Sequence, residues 1–300
     1  MPQEQEDEEV GKLAIRLANA SILPMVMNSA IGLNLIDIIS AASGDGTFLS
    51  PSDVATMIYS NARLELERMG EVERLYGSAP ICKFFVKNED GGSLGPLLQL
   101  QQDEVTIQSC YHLTNSVLEG GTPFNRAYGM RSEFEYIEMD PNHGQLLNKA
   151  MSSNTTLIMK KMVDVYKGFK MKASKCINFD LPHVVAHAPP KSGVEHVGGD
   201  MFTSVPKGDA IFLKTVLHNW DDEDCLKLLK NCCEALPNCG KVIIIELIVP
   251  ETPENNVSSN IVSEKDLLMM VVHPGGRERT LKEYETLAVK SGFSRCDVTC

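Results

Sequence analysis

From residue 176 onward, short apolar segments that end in a polar or acidic residue alternate with amphipathic helical patterns. Cys176–Asp180 and Asp209–Lys214 are strand candidates, and Val242–Ile245 is an almost continuous apolar run, typical of a parallel strand covered on both faces. Asp222 opens a helix between the last two strands. The apolar face of that helix is predicted at Leu226, Leu229, Cys233 and Leu236. Strands that alternate with helices predict an α/β doubly wound domain.

The first half of the chain has helical periodicity. Apolar residues recur at helical spacing over residues 10–42, where Pro24 is predicted to separate two helices. Further helical patterns cover residues 97–118 and 141–166. The N-terminal part is therefore predicted to be mainly α-helical.

A short hairpin is predicted inside this helical half. Glu71–Ala79 and Ile81–Lys87 have the pattern of two short strands, and the turn Asn88–Gly92 follows them. Helices followed by a hairpin indicate a winged-helix layout. The change of pattern near the helix that ends at Tyr166 predicts two domains, residues 1–155 and 156–300.

Composition narrows the classes of function. The chain has 300 residues, 28 Lys and Arg against 40 Asp and Glu, and a net charge of −12, which disfavours binding to nucleic acid or to an anionic membrane. The acidic first residues are not typical of a secretory signal, and no apolar run reaches the ~18 residues of a spanning helix. Nine cysteines without a C-x-x-C pair indicate reduced thiols in a cytoplasmic protein, and nothing points to a metal site.

Ligands of open α/β sheets bind beyond the carboxyl ends of the strands. Asp180 ends the first strand candidate, where an acid can hold the two hydroxyls of a ribose; the alternative is a turn or helix cap. In Gly198–Phe202, the glycines permit close backbone approach, and the acid, thioether and ring could bracket a nucleobase. The alternative is a tight turn that places Met201 and Phe202 in the core.

His218 follows the strand that ends near Lys214. A histidine between a strand end and a helix start can accept a proton, because its usual pKa of about 6.5 suits neutral pH. The alternative is a structural histidine with satisfied hydrogen bonds. Trp220, the only tryptophan, is a candidate wall of a pocket.

Two acids could flank this histidine. Glu246 ends the apolar strand, and a carboxylate there is costly to bury without a partner, for which the imidazole of His218 is the candidate. Glu278 lies in a glycine loop before a helix. The alternative for Glu278 is a surface salt bridge with Arg277 or Arg279.

Together these motifs resemble plant small-molecule O-methyltransferases of the caffeic acid 3-O-methyltransferase type. The matching segments are Gly120–Met130, Met159–Met162, Asn178–Val184, Gly193–Phe202, Leu217–Trp220, Cys232–Pro237 and Gly275–Thr280. The resemblance implies an α-helical winged-helix dimerisation domain followed by a Rossmann-like domain that binds S-adenosylmethionine. It also implies a cytoplasmic homodimer that methylates a phenolic hydroxyl of a phenylpropanoid or flavonoid without a metal.

The resemblance assigns roles to individual residues. His218 would be the general base, and Glu246 and Glu278 would flank and orient it. The implied cofactor-binding residues are Asp180 at the ribose, Leu181, Asp200 and Met201 at the adenine side, and Lys214. Leu268, Met269 and His273 fall where the family contacts the phenolic substrate, although the family often has Asn where His273 stands.

The chain departs from the family pattern in three places. The strand, glycine-rich loop and helix that open the family's cofactor domain are absent between Gly168 and Ile177. The helical segment at Asn61–Leu66 is shortened, and the chain stops at Cys300, before the family's closing strands. Losing a central strand would leave two sheet edges unpaired. A second interpretation is therefore a non-catalytic relative that keeps the dimerisation half and cannot bind cofactor.

Overall fold

The structure, a computed structural model, describes residues 20–44, 47–50, 53, 54, 57, 77–166, 175–252, 254 and 256–299. By its contacts the chain divides into two compact units. The first comprises Met1–Ile107 and Ile137–Asp164, and the second comprises Gln108–Tyr136 and Val165–Cys300.

This division differs from the predicted boundary after residue 155. That boundary falls inside the single helix Pro141–Val165, nearly all of which belongs to the first unit. Residues 108–136, which the sequence assigned to the first domain, belong to the second unit, where the helix Pro123–Tyr128 packs against the helix Val257–Val272. Periodicity marks helices, but it does not reveal which unit a helix packs on.

The described helices and strands follow one another along the chain without a repeat. The helices are α1 (Ile22–Gly32), α2 (Leu35–Gly44), α3 (Gly95–Gln101), α4 (Glu104–Cys110), α5 (Leu113–Glu119), α6 (Pro123–Tyr128), α7 (Glu133–Met139), α8 (Pro141–Val165), α9 (Pro182–Val185), α10 (Asp222–Ala235), α11 (Val257–Val272) and α12 (Leu281–Lys290). The strands are β1 (Cys176–Asp180), β2 (Val194–Gly198), β3 (Ala210–Lys214), β4 (Lys241–Ile245), β5 (Ile248–Val249) and β6 (Arg279–Thr280).

In the first unit, α1 packs against α2 and α3. Pro24 lies in the first turn of α1, where a missing N–H costs nothing, and the break between α1 and α2 comes instead at Asn34, whose φ of 54° is left-handed. The part of the predicted helix before residue 20 lies outside the described residues. The predicted helix over 97–118 is divided into α3, α4 and α5.

The hairpin prediction is wrong for its second strand. Pro80–Phe84 forms a 3₁₀ helix with proline at its start, and most of the partner segment Glu71–Ala79 lies outside the described residues. The turn after it is confirmed, because Asn88 Oδ1 accepts hydrogen bonds from the amides of Asp90 and Gly92. A strand needs a neighbouring strand, and sequence alternation over seven residues does not supply one.

No single helix in the described part is long and apolar enough to cross a membrane. The segments Leu23–Gly32 and Leu35–Ser43 reach that length and composition only as a pair, with a bend of 78° between them.

The second unit contains parallel strand pairs. β1 pairs with β2, β3 with β4, and β5 with β6, each pair parallel, so the described strands form three two-stranded sheets rather than one continuous sheet. The strand limits predicted for β1, β3 and β4 are confirmed to within one residue. The prediction that β4 is covered on both faces is wrong, because Ile244 is 36% exposed. Phe212 on the paired strand β3 is 40% exposed.

The core of the second unit lies between α10, α12 and the loop before α10. Its buried residues are Leu217, Cys225, Leu228, Leu229, Cys232, Tyr284 and Leu287. The predicted apolar face of α10 is therefore rotated by about one residue: Leu229 is buried, whereas Leu226, Cys233 and Leu236 are half-buried. Asp221 caps α10 by accepting the amide hydrogen of Asp224, which fixes the point where the preceding loop ends.

Candidate active site

The loop between β3 and α10 positions His218. β3 ends at Lys214, and Thr215 then adopts a left-handed conformation with φ of 51° while its amide donates to the carbonyl of Ile245 on β4. A left-handed threonine costs roughly 1–2 kcal/mol, a strain typical of functional sites. The turn directs Leu217–Asn219 into a single 3₁₀ turn that buries His218.

The structure brings His218, Glu246 and Glu278 together. His218 Nδ1 lies 2.7 Å from Glu278 Oε1 and 3.6 Å from Glu246 Oε2. The three side chains are 4%, 0% and 2% exposed for His218, Glu278 and Glu246, so the contacts are shielded from water. Both acids approach the same ring nitrogen, and no described residue hydrogen-bonds to Nε2.

Glu246 is held from the opposite side by backbone amides. Its Oε1 accepts hydrogen bonds of 2.8 Å from the amides of Val216 and Leu217. Burial raises the pKa of the Glu246 carboxyl above its usual range, although the His218 imidazole and these amides act in the other direction. The carboxylate thereby ties the end of β4 to the His218 loop.

Glu278 reaches His218 from a glycine loop. Gly275 has a φ of 73°, and a Cβ there would lie 2.7 Å from the Cβ of Asp221, so only glycine permits this approach. The Arg277 amide donates to the His218 carbonyl at 2.9 Å, and the Glu278 amide donates to Asp266 Oδ1 at 2.8 Å. These two amide hydrogen bonds fix the backbone of the loop at Glu278 and at the residue before it.

The alternative salt bridge of Glu278 with a neighbouring arginine is not formed. Arg279 is fully buried and donates to the carbonyls of Leu217 and Trp220 at 2.8 Å and to Asp222. Arg277 pairs with Asp222 and Glu283. Arg279 therefore holds the His218 loop, and Glu278 stays available to the imidazole.

Aromatic rings adjoin this cluster. Phe134 stacks on His273 with ring centroids 4.6 Å apart and on Trp220 at 5.7 Å, and Phe202 meets Trp220 edge-on at 4.7 Å. Burial lowers the pKa of His273 to about 4, so its ring is neutral at neutral pH. His273 Nδ1 is buried with no hydrogen-bond partner among the described residues.

The three predicted substrate residues lie at the C-terminal end of α11. Met269 and His273 are buried, and Leu268 is half-buried. Only His273 shows a ring contact with Phe134. Trp220 lies between the rings of Phe134 and Phe202, and its role as a pocket wall stays a prediction.

The predicted cofactor residues are placed less uniformly. Asp180 is exposed at the end of β1, with Oδ1 accepting from the Leu181 amide at 2.7 Å. Both carboxylate oxygens of Asp200 accept hydrogen bonds from the turn that follows, and Met201 packs against the core of the second unit. Lys214 ends β3, and burial lowers the pKa of its ammonium group.

The sequence analysis missed the roles of four residues at the site: Phe134, Lys265, Asp266 and Arg279. Burial lowers the pKa of Lys265 on α11, while the carboxylates of Glu278, Glu133 and Glu246 raise it. Phe134 is far from the other site residues in the sequence, so no motif indicated that it lies beside them. Arg279 entered the sequence analysis only as a possible surface partner of Glu278, although its place in the same motif was a signal for a role at the site.

The fold is that of solved methyltransferases. Human N-acetylserotonin methyltransferase, solved in complex with SAM, superimposes with a TM-score of 0.77 at 19% identity, covering 94% of this chain and 92% of that one. The mitomycin 7-O-methyltransferase MmcR superimposes with a TM-score of 0.70 at 18% identity, covering 96% and 93%. At these identities the likeness establishes the α/β Rossmann-like fold with its helical N-terminal part.

Plant relatives are similar along the whole chain. Caffeic acid 3-O-methyltransferase of Eucalyptus gunnii is 45% identical over 343 positions, which cover 100% of this chain and 93% of the relative. Caffeic acid 3-O-methyltransferase 1 of Ocimum basilicum is 44% identical over 344 positions, covering 100% and 95%. Because this chain has 300 residues, at least 43 of the 343 positions have no residue in it.

The O-methyltransferase domain profile matches residues 110–173 and 168–294. The two stretches meet at 168–173, next to the place where the sequence lacks the glycine-rich segment. The match covers more than half of the chain, and the plant relatives cover all of it. The chain therefore belongs to the S-adenosylmethionine-dependent O-methyltransferase family that includes the plant caffeic acid 3-O-methyltransferases.

Proposed function

We propose that the protein transfers a methyl group to a phenolic hydroxyl of a phenylpropanoid or flavonoid, similar to caffeic acid, with His218 as general base. The observation that carries this proposal is the buried contact of His218 with Glu278 and Glu246, at 2.7 and 3.6 Å. A structural histidine does not need two carboxylates on one nitrogen.

The geometry suits removal of a phenolic proton. A phenol has a pKa of about 10 and is a poor nucleophile at neutral pH. With Nδ1 facing the two acids, Nε2 of His218 is the nitrogen left to accept the proton. Glu278 fixes the tautomer, and both carboxylates stabilise the imidazolium that forms. A positioned base typically contributes about 10²–10⁴-fold to the rate.

S-adenosylmethionine, when bound, supplies the methyl group. Asp180 has one carboxylate oxygen without a described partner at the exposed end of β1, and Lys214 lies at the end of β3, so these two fit a polar ligand. Asp200 and Met201 are already engaged in a turn and in the core. The fit is therefore partial, and we assign the base to this chain without assigning a complete cofactor site.

A second candidate is a non-catalytic relative that cannot bind cofactor. The separation of the β1–β2 pair from the β3–β4 pair favours it, together with the positions that the chain lacks near residues 168–173. The family's glycine-rich loop supplies backbone donors to the methionine end of the cofactor, and no described residue is assigned to replace them.

Calorimetric titration with S-adenosylmethionine separates the two candidates. The first requires saturable heat, followed by methylation of caffeic acid. We expect His218→Ala to lower the rate constant kcat by about 10²–10⁴-fold while cofactor affinity stays within about twofold. His187→Ala, at an exposed histidine outside the cluster, is the matched control. Absence of heat at high micromolar cofactor would establish the second candidate.

We further propose that the protein is a cytoplasmic homodimer that binds a small phenolic molecule and neither nucleic acid nor membrane. The net charge of −12 and the resemblance to the plant enzymes support this. Light scattering of the purified chain tests the dimer, and a monomeric mass would contradict it.

A further inference from the structure

His218, Glu246 and Glu278 also form a compact donor set. One ligand atom from each residue lies within 4.8 Å of the other two. An imidazole nitrogen with two carboxylates is a combination that binds zinc and related divalent ions in other proteins. In the proposed function the three residues take part in proton transfer. Binding of an ion would be a separate property of the same cluster.

Two buried oxygens in the cluster lack a partner. Glu246 Oε2 and Glu278 Oε2 are buried, and neither has a hydrogen bond among the described residues. The side chains that carry them are only 2% and 0% exposed. Burying a carboxylate oxygen without a hydrogen-bond partner is unfavourable, and a cation between the two oxygens would compensate both.

The neighbouring cations leave these oxygens unsatisfied. Lys265 and Lys214 lie close enough for their charges to act on Glu246, and Lys265 also acts on Glu278. Neither ammonium group donates a hydrogen bond to the two carboxylates in the described structure. Lys214 Nζ donates instead to the hydroxyl of Thr215. The negative charge at the cluster is thus balanced only at a distance.

From this geometry we propose that His218, Glu246 and Glu278 form a binding site for a divalent transition-metal ion of the zinc type. Tetrahedral ligands about 2.0–2.2 Å from zinc lie ~3.3 Å from one another. The separation of 3.6 Å between His218 Nδ1 and Glu246 Oε2 is close to that value, whereas the hydrogen bond of 2.7 Å to Glu278 Oε1 must open by about 0.6 Å. Glu278 can also turn Oε2 toward the ion.

The charges balance when the ion enters. The two carboxylates offset its double positive charge, and His218 binds as a neutral imidazole whose proton moves from Nδ1 to Nε2. The bound ion is coordinated by His218 Nδ1, the nitrogen that the two acids otherwise approach. An imidazole coordinated in this way loses its orienting carboxylates, so the ion is an inhibitor of proton removal and not a cofactor.

The test measures ion binding in the absence of methyl donor and phenol, so it is independent of the proposed function. The full chain is titrated with Co²⁺, whose visible absorption reports tetrahedral nitrogen and oxygen ligands, and Zn²⁺ is then added in competition. We expect about one Co²⁺ per chain and at least ~10-fold weaker binding in Glu246→Gln and Glu278→Gln, which preserve size. His218→Ala should behave in the same way.

The chain's nine cysteines provide competing ligands, and the spectrum distinguishes them. Thiolate-to-cobalt charge-transfer absorption would mean that cysteines bind the ion and would overturn the proposal, as would equal binding by Glu278→Gln. His187→Ala should bind Co²⁺ like the parent chain. Circular dichroism of each variant verifies the fold, so a weaker affinity in a folded Glu278→Gln protein supports the site.

Discussion

Among the residues that support the site, Arg279 is the one whose replacement we expect to lower the free energy of unfolding most. It is fully buried and donates to two backbone carbonyls and to Asp222, so Arg279→Leu removes a charged donor from all three acceptors, although Asp222 keeps its pair with Arg277. We expect unfolding in urea to show a loss of about 2–4 kcal/mol. Arg277→Leu is the matched control, since Arg277 pairs with the same Asp222 at the surface and should cost less than about 1 kcal/mol. Equal losses would show that burial of Arg279 contributes nothing.

His273 should make stability depend on pH. Burial lowers the pKa of its ring to about 4 in the folded protein, against about 6.5 in the unfolded chain. The unfolded state therefore takes up the proton first, so the contribution of His273 to stability is constant above about pH 6.5 and falls as the pH drops toward 4, by on the order of 3 kcal/mol. Urea midpoints measured between pH 7 and pH 4 test this. In His273→Asn the slope from this group should vanish; an unchanged slope would contradict the assignment.

At the level of residues, the sequence predicted the cluster of His218, Glu246 and Glu278 but not the residues packed around it. His218 and Glu246 follow the ends of two strands that pair in parallel, so topology alone brings them near each other. The acid at 278 required knowledge of the glycine loop. Phe134 and Lys265 could not be found, because they come from helices whose packing is decided by tertiary contacts.

The glycine loop before Glu278 is an element that a single methyl group should disturb. Gly275→Ala forces alanine into a left-handed conformation and places Cβ 2.7 Å from Asp221 Cβ. Gly129, which follows α6, is also left-handed, with φ of 69°, but nothing lies within 4 Å of its Cβ position. We expect Gly129→Ala to cost about 1–2 kcal/mol and Gly275→Ala a further ~1–3 kcal/mol, measured by thermal unfolding. Similar costs would mean that the close approach does not constrain the loop.

The elements themselves were predicted best where apolar periodicity is strong. β1, β3, β4 and α10 lie where the sequence placed them, because each is bounded by a turn residue or a cap. The apolar face of α10 was misjudged, since Cys225 and Cys232 are buried with the leucines while Leu226 is half-buried. Cysteine is easily underestimated as a core residue, and the burial of both raises their thiol pKa to about 12.

At the scale of the whole molecule, we attribute the divided sheet to the positions that this chain lacks relative to the plant enzymes. The described β1 and β3 each pair with a single neighbour, so each has an edge of backbone groups without a strand partner. Ile177, Phe212 and Ile244 are more than one-third exposed, although a parallel sheet normally covers such residues on both faces. The family profile divides at residues 168–173, shortly before β1, whereas only the structure tells which strand pairs are separate.

Restoring that segment should join the separate strand pairs into one continuous sheet. A chimera replaces residues 168–175 with the corresponding longer stretch of the Eucalyptus gunnii caffeic acid 3-O-methyltransferase, the relative that is 45% identical. Because the added strand would bury apolar surface and pair two open edges, we expect the melting temperature to rise by at least about 5 °C. Calorimetry should detect S-adenosylmethionine binding in the chimera. An insert of the same composition in scrambled order is the control, and a chimera that melts no higher than this control would disprove that the lost segment divides the sheet.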